Sequence, residues 1–342
     1  MNSGFRQKTA LFLAVLLLAA GLAALMRGRH RALSRGEIYE ALVAGIGAFE
    51  TQIELGTTVD HREAEQAFFQ VCYLHPEFFW LKSCTYVDGP EGTCVQIDCP
   101  YPVQELSDMY RRLCSRAAQV TDRMPSYGTE YRRVLYLHDY LVTHVQPAET
   151  SESGRIYDAY GALVEGRAVC GGYSHAMLLL MQNAGLTGCI VEGPAGGDRH
   201  SWNYVRVDGQ YYWLDVTWDD PGGSGLLHDY CLTDDAHLLR SHTVDTDASL
   251  YYIPFVPECG SMDGSFYAQE GTLLDRYDLE TLSALVRSHD GRVELMFTQH
   301  DDYTACLREL RDERRFWEIP GTDGRTLTTT QNDVMDTLIL QY

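Results

Sequence analysis

The sequence has almost no lysine, and no acidic residue near its start. Lys8 and Lys82 are its two lysines, so arginine supplies nearly all of the positive charge. The first 36 residues carry six basic side chains and no acid, which leaves 21 basic against 48 acidic residues in the rest of the chain. The part of the chain after residue 36 therefore has a formal net charge of −27, which repels phosphate backbones and argues against nucleic acid as a partner.

Signs of disorder and of repetition are also missing. The chain of 342 residues contains 45% hydrophobic and 22% charged residues, close to the averages of globular proteins. It has neither an internal repeat nor a low-complexity tract. Its 22 Tyr, 11 Phe and 5 Trp can build a sizeable core, and its length suits two or three compact units.

One apolar segment stands apart near the N-terminus. Residues 10–26 are mostly Leu and Ala and contain no charge, while basic residues flank the segment on both sides. Its length is the short end of a membrane span and the long end of a signal-peptide core. Because a basic cluster follows at once, we favour an uncleaved membrane anchor over a cleaved signal, with a buried core helix as a third alternative.

Two arguments about the orientation of this anchor oppose each other. The C-terminal flank has more basic residues, and the positive-inside rule would therefore place the body in the cytoplasm. A large acidic domain behind an N-terminal anchor more often crosses the membrane. We therefore expect an extracytoplasmic body, or a secreted one if the segment is cleaved.

Ten cysteines are present, and five crowd into the first third of the chain: Cys72, Cys84, Cys94, Cys99 and Cys114. Disulfides among these five, and reduced buried thiols, are equal alternatives. The spacing of Cys94 and Cys99 is unlike that of a zinc site, and no second ligand pair completes one. Asp219 and Asp220 lie in no spaced oxygen-ligand loop and are typical of a capped turn. We predict no metal and no cofactor.

Hydrophobic periodicity predicts an α+β body behind the N-terminal segment of residues 1–36. A helical leader with a small β-hairpin occupies residues 37–124, a central domain residues 125–256, and a small α+β region residues 257–342. The predicted elements are helices over 37–75, 102–123, 128–145 and 303–315, and strands over 83–87, 93–98, 293–298 and 317–319. His138 and Asp139 lie at core spacing on one of these helices and are typical of a structural pair.

A cysteine stands at the predicted start of a helix in the central domain. Turn residues precede Cys170, Gly171 and Gly172 follow it, and an apolar helical stretch runs over residues 173–184 before Gly185. A helix N-terminus favours an anion, and the thiolate is the form of cysteine that attacks carbonyls. The two glycines would let a substrate approach the backbone, and the Cys170 amide could donate to an oxyanion. Taken alone, such a cysteine is more often structural.

A β-hairpin places a histidine and an aspartate within reach of each other. The Asp-Gly pair at 208–209 signals a two-residue type I′ turn between strands over residues 200–207 and 210–217. In the register that this turn sets, His200 and Asp215 are diagonal neighbours on one face, about 7–8 Å apart at Cα. A slip of one residue would move Asp215 to the opposite face.

These three residues supply the roles of an acyl-transfer enzyme. Cys170 would act as the nucleophile, His200 as the base and Asp215 as the acid that orients the base. A carboxylate beside an imidazole fixes its tautomer and supports the imidazolium that forms when it takes the thiol proton. Each residue alone is commonly structural, but the three arrangements rarely coincide by chance.

Three blocks of this region resemble the transglutaminase-like superfamily, in the papain-related clan. They are Ala-Val-Cys-Gly-Gly-Tyr at 168–173, His-Ser-Trp-Asn at 200–203 and Trp-Leu-Asp-Val-Thr-Trp-Asp-Asp-Pro at 213–221. The blocks have the family's order and spacing, and the resemblance covers about residues 125–245. It implies a Cys170 helix packed on an antiparallel sheet that bears His200 and Asp215, with the same three catalytic roles. The family commonly has a bulkier residue where Gly171 stands.

The expected function is thiol-dependent acyl transfer on an amide bond of a protein or peptide, through a thioester on Cys170. Hydrolysis and transfer to an amine are both open, with a slight preference for hydrolysis. Lys82 is the only lysine of the body, so an amine acceptor would have to come from elsewhere. The rival interpretation is a non-catalytic module that binds a cell-wall or protein ligand.

Overall fold

The computed structural model describes residues 33–125, 128–152, 154–223, 225–247, 252–289, 291–319, 322 and 325–342. The anchor predicted over residues 10–26 lies outside these ranges. Within them, no helix has the length and the apolar composition that crossing a bilayer requires. The chain divides into two compact units.

The first unit contains residues 33–74, Trp80–Asp108 and Tyr252. Its elements are α1 (Arg35–Gly47), β1 (Gln52–Glu54), α2 (His61–Leu74), β2 (Cys84–Gly89) and β3 (Gly92–Ile97). The three strands form a sheet in the order β1-β3-β2, and the two helices pack against each other. Ser34 and Glu37 form a capping box that starts α1.

The helical structure predicted over residues 37–75 is confirmed at both ends as α1 and α2, but the prediction is wrong between them, where β1 lies. Phe49 has a positive φ of 61°, and Ile53 lies in β1, where it pairs with Val95. Both residues continue the apolar spacing of α1, and periodicity alone does not separate a short buried strand from another helical turn. The hairpin predicted over residues 83–98 is confirmed as β2 and β3, and β1 adds a third strand to it.

The second unit contains His75–Phe79, Met109–Asp247 and Ile253–Tyr342. Most of α3 (Val103–Thr121) belongs to it, together with α4 (Glu130–His144), and both helices are confirmed close to their predicted limits. The side chains that the sequence assigns to the inner side of α4 are buried there: Tyr131, Val134, Leu135, His138, Leu141, Val142 and the following Val145.

An antiparallel sheet forms the centre of this unit. The chain passes through a short parallel pair, β4 (Gln146–Pro147) and β5 (Arg167–Ala168), and then enters α5 (Cys170–Asn183). Four strands follow in sheet order: β6 (Thr187–Ala195), β7 (Asp198–Val207), β8 (Gln210–Leu214) and β9 (Cys231–Thr233). The helix α5 packs on β6 and β7. The fold is α+β, with a cysteine-bearing helix on an antiparallel sheet.

A second four-stranded sheet lies near the C-terminus, in the order β10-β11-β13-β12. The elements beyond β9 are α6 (Asp235–Leu238), α7 (Phe266–Glu270), β10 (Leu273–Leu274), α8 (Leu279–Ser288), β11 (Arg292–Phe297), α9 (His300–Leu307), β12 (Thr328–Asn332) and β13 (Thr337–Gln341). One face of this sheet and its helices share a buried apolar cluster that includes Leu282, Leu295 and Phe316.

The predictions for this region are partly confirmed. The strand over residues 293–298 is present as β11. The helix over residues 303–315 begins at His300 and becomes a π-helix at Arg308–Asp312. The strand over residues 317–319 is wrong, because Arg315–Glu318 is a 3₁₀-helix whose Phe316 is buried in the apolar cluster.

Candidate active site

The hairpin of β7 and β8 has the register that the sequence predicts. Val207 pairs with Gln210 across a two-residue turn in which Asp208 and Gly209 have φ values of 49° and 91°. Two consecutive positive φ values are the mark of a type I′ turn. The strand β8 ends at Leu214, earlier than the predicted limit of residue 217, because its pairing with β9 is irregular there.

Asp215 is the first residue after β8, and it still reaches His200. Oδ2 of Asp215 lies 2.7 Å from Nε2 of His200. The carboxylate is fully buried, and the imidazole is 8% exposed. Burial alone would lower the pKa of His200, but the charge and hydrogen bond of Asp215 outweigh it and raise that pKa to about 10. Burial likewise opposes ionisation of Asp215, yet its charged and hydrogen-bonded partners hold its pKa well below the ordinary value.

Cys170 is the first residue of α5, as the sequence predicts. The N-cap residue, Val169, offers no side-chain hydrogen bond to the first turn of this helix. The thiol is partly exposed and is a hydrogen-bond partner of the His200 imidazole, whose pKa it helps to raise. Because Nε2 of His200 faces Asp215, Nδ1 is the ring nitrogen left for the thiol. The structure therefore brings together all three predicted residues.

The glycines after Cys170 accommodate the protein's own backbone. A Cβ on Gly172 would lie 2.5 Å from the carbonyl oxygen of Ile156, and one on Gly171 would lie 3.2 Å from that of Tyr157. The expectation that these two positions admit a substrate is thus corrected, because a neighbouring segment of the chain approaches there. A bulkier residue in place of Gly171 would press on the Tyr157 backbone.

Aromatic rings cover the buried side of the site. The ring of Trp202 is buried and nearly parallel to that of His200, with centroids 6.0 Å apart and an interplanar angle of 17°. Trp218 is partly exposed, and its ring centroid lies 5.6 Å from that of His200. The Asp215 carboxylate is itself out of contact with water, which strengthens its interaction with His200.

A second histidine, His242, also contacts Asp215 and was not singled out from the sequence. Its Nε2 lies 3.1 Å from the same oxygen, Oδ2, that faces His200. The other oxygen, Oδ1, accepts the backbone N–H groups of Thr217 at 3.0 Å and Trp218 at 3.3 Å. No local pattern marks His242, because it lies outside the strands and reaches Asp215 only through the tertiary fold.

Two clusters among the described residues offer metal-ligand atoms within 4.8 Å of one another: His200, Asp215 and His242, and His138, Asp139 and His228. In the second cluster, Oδ1 of Asp139 lies 2.9 Å from Nδ1 of His138 and 3.1 Å from Nε2 of His228. Asp219 and Glu294 contact the far nitrogens of the same two rings. Each imidazole thus has a carboxylate on both sides. This arrangement agrees with a structural role for His138 and Asp139, which the sequence predicts.

Residues 118–218 match the model of the transglutaminase-like superfamily. The match includes Cys170, His200 and Asp215, and its limits lie within α3 and the turn after β8. Residues 118–218 are therefore similar to a transglutaminase-like domain, and at the level of the superfamily this similarity supports a thiol-dependent enzyme. No curated protein matches the sequence.

Solved structures resemble part of the chain. A candidate cysteine protease from Cytophaga hutchinsonii is 16% identical over 39% of this chain and 40% of its own, with a TM-score of 0.29. A TGase is 15% identical over 42% of this chain and 46% of its own, with a TM-score of 0.28. A candidate protease from Parabacteroides distasonis is 14% identical over 42% of this chain and 34% of its own, with a TM-score of 0.24. The chain spans less than half the length of these proteins.

Proposed function

We propose that this transglutaminase-like domain is a thiol enzyme that transfers the acyl group of a protein or peptide amide through a thioester on Cys170. One arrangement supports the proposal above all others. The thiol of Cys170 meets one side of the His200 imidazole, and the buried carboxylate of Asp215 holds the other side. These are the positions that a nucleophile, a base and an orienting acid require.

The proposed reaction has two halves. Nδ1 of His200 holds the proton taken from the Cys170 thiol, the thiolate sulfur attacks the amide carbonyl, and Asp215 stabilises the imidazolium. The oxyanion accepts hydrogen bonds from backbone N–H groups in the first turn of α5. The C–N bond then breaks, the leaving amine takes the proton from His200, and a thioester remains. Water or a second amine attacks the thioester, gives a proton to His200, and the thiolate leaves.

Eight of the nine other thiols of the chain are poorly suited to this chemistry. All ten cysteines are free. Burial raises the pKa of eight of them, to about 12 for Cys72 and Cys306 and about 11 for Cys189. A buried thiol that stays protonated is a weak nucleophile. Cys170 differs from these eight because its partner is an imidazole.

Alkylation with iodoacetamide near neutral pH tests the nucleophile without knowledge of the substrate. We expect Cys170 to react at least about tenfold faster than a model thiol, and His200→Ala to abolish the difference. Peptide mapping by mass spectrometry identifies the labelled cysteine, Cys170→Ala gives the background, and Cys99 serves as an internal reference thiol. If Cys170 reacts no faster than the model thiol and His200→Ala leaves its rate unchanged, the enzyme proposal fails.

Hydrolysis and amine transfer are distinguished by the products. The protein is incubated with a peptide library, with and without a small primary amine. Peptides that gain the amine indicate transfer, whereas products that gain only water indicate hydrolysis. We favour hydrolysis slightly, and the scarcity of lysine predicts that the protein alone forms no lysine-linked ladder.

A non-catalytic module is the second candidate function, in which the same fold binds a cell-surface protein or a cell-wall ligand. A complete set of three residues does not by itself guarantee turnover. Binding without turnover, equal in wild type and Cys170→Ala, would favour this candidate. A trapped acyl-enzyme on Cys170 would exclude it.

A further inference from the structure

We propose that His242 is a positioning residue that holds the carboxylate of Asp215 in place against His200. This inference rests on the proposed function of Cys170, His200 and Asp215 and adds a fourth residue to it. Oδ2 of Asp215 is shared by two imidazoles, at 2.7 Å from Nε2 of His200 and 3.1 Å from Nε2 of His242.

The contact with Asp215 assigns a proton to Nε2 of His242. An ionised carboxylate can only accept, so the proton of this contact must lie on Nε2 of His242. The other ring nitrogen, Nδ1, lies 2.8 Å from Oγ of Ser241, whose hydroxyl also lies 3.3 Å from the carbonyl oxygen of Leu238. Asp215 thus fixes a proton on Nε2 of His242, and Ser241 contacts the opposite side of the ring.

The carboxylate of Asp215 is fixed at both oxygens. Two backbone N–H groups, from Thr217 and Trp218, hold Oδ1, and the two imidazoles hold Oδ2. Without His242, His200 would be the only described residue that contacts Oδ2, and His200 is the residue whose orientation Asp215 is proposed to set. His242 is therefore the one side chain in this set that can fix Oδ2 independently of the reacting imidazole.

The surroundings of His242 exclude a direct part in the chemistry. The residue is 1% exposed, and its ring lies edge-on to Trp202 with centroids 4.9 Å apart. Trp218 lies against it at 4.4 Å. Because these rings enclose His242, its influence on a substrate would pass through Asp215 and His200.

The backbone around His242 is tied to the end of β6. Residue 242 forms a β-bridge with Ala195, and the N–H of Thr243 donates to the carbonyl of Pro194 at 2.8 Å. The N–H of Gly196 donates to the carbonyl of Ser241 at 3.2 Å. Since β6 pairs with β7, which carries His200, one sheet sets the positions of both imidazoles.

Two substitutions distinguish the effect of the hydrogen-bond donor of His242 from the effect of the space that its side chain fills. The side-chain amide nitrogen of His242→Gln can take the place of Nε2, whereas His242→Leu fills similar space without a donor. The measured quantity is the rate of Cys170 alkylation at neutral pH, with thermal unfolding recorded for each variant. We expect His242→Leu to lower the rate about 10- to 100-fold and His242→Gln to restore most of it. Equal losses in both variants would overturn the proposal.

Two further measurements make the outcome decisive. In a His200→Ala background, His242→Leu should cause no additional loss, because its effect passes through His200. An additional loss there would indicate general damage and overturn the positioning role.

The second measurement uses NMR on Cys170→Ala protein. The chemical shift of the His200 Nε2–H proton should change in the His242→Leu variant and remain at its original value in the His242→Gln variant. An unchanged signal in both variants overturns this inference, whereas a Cys170 whose reactivity is independent of His200 overturns the proposed function instead.

Discussion

The Asp215 carboxylate is the most highly connected polar group of the candidate site. Full burial penalises its charge, and four hydrogen-bond donors compensate: two backbone N–H groups and two imidazoles. A buried charge with its partners in place is tolerated, whereas removal of its charge leaves donors without an acceptor. Substitutions at this one residue should therefore affect both reactivity and stability.

Asp215→Asn should lower the reactivity of Cys170 and any turnover by about a hundredfold or more, because the neutral amide cannot stabilise the His200 imidazolium. The alkylation rate and kcat/KM measure this loss. Asp198→Asn is the matched control, since it removes one exposed carboxylate at the start of β7, the strand that carries His200. A comparable loss in both variants would mean that the general negative charge, and not the Asp215 contact, is responsible.

The stability contributed by the His200–Asp215 pair should depend on pH in a defined direction. The pKa of His200 is raised from 6.5 to about 10 in the folded protein. A raised pKa stabilises the fold fully below about pH 6.5, and that contribution is lost as the pH rises towards 10. We expect the free energy of unfolding to fall by on the order of a few kcal/mol across this window.

Urea unfolding of two proteins between pH 6 and 10 checks this expectation. His200→Gln is compared with its parent, both in a Cys170→Ala background that removes the thiol. Because Cys170 helps to raise the pKa of His200, we expect the loss of stability in this background to end at a lower pH than in the wild type. His228, whose pKa is raised to about 9, contributes equally to both curves. Parallel curves for the two proteins would contradict the assignment of the pH dependence to His200.

At the scale of residues, the sequence predicts what a local pattern encodes. Cys170 is marked by a helix start, and His200 and Asp215 by a turn that fixes the register. His242 follows Asp215 by 27 positions and lies in no strand, so nothing in its neighbourhood indicates where it points. Its place depends on backbone contacts with the end of β6, among them a β-bridge to Ala195, and these contacts are tertiary.

At the scale of elements, β6 must lie close to the segment that carries His242. A Cβ on Gly193 would collide with the backbone oxygen of Thr243, the residue after His242. A glycine at this position therefore permits the close approach of the two chains. The same glycine is opposite His200 in the ladder of β6 and β7.

Gly193→Ala should destabilise the fold by about 1–3 kcal/mol, because backbone must move to admit the methyl group. The Thr243 segment would shift, and the alkylation rate of Cys170 should fall with it. Gly36→Ala in α1 is the control, since no atom lies within 4 Å of its added Cβ, and we expect a change within about 1 kcal/mol. Unaltered stability and reactivity of Gly193→Ala would show that this close approach is dispensable.

Elements with a clear period or turn signal are predicted well, and the others are not. Helices α3 and α4 carry regular apolar stripes, and the two predicted hairpins carry Asp-Gly signals. The strand β13 reads as a continuous apolar run of Leu338, Ile339 and Leu340, and its partner β12 is rich in threonine and mostly exposed. Neither alternates as a half-buried strand does, so their pairing depends on tertiary context.

At the scale of the whole chain, buried polar groups connect the C-terminal sheet to the central domain within the second unit. Asp229 is 6% exposed and accepts hydrogen bonds from Tyr267 at 2.9 Å, Thr337 at 2.8 Å and Asn332 at 3.0 Å. All three donors belong to the region predicted as an appendage. Loss of this region would leave Asp229 without these partners, so it stabilises the domain that carries the site.

The predicted anchor decides where such an enzyme would meet its substrate. Residues 10–26 carry no charge, and basic residues on both sides would stop the segment at the two membrane surfaces. We predict that carbonate extraction leaves the full-length protein in the membrane fraction and that a variant lacking residues 1–32 is recovered in the soluble fraction. A shortened protein in the medium would indicate a cleaved signal, and full-length protein in the soluble fraction would contradict the anchor. Protease accessibility in intact cells then separates the two orientations, because only an extracytoplasmic body is cut.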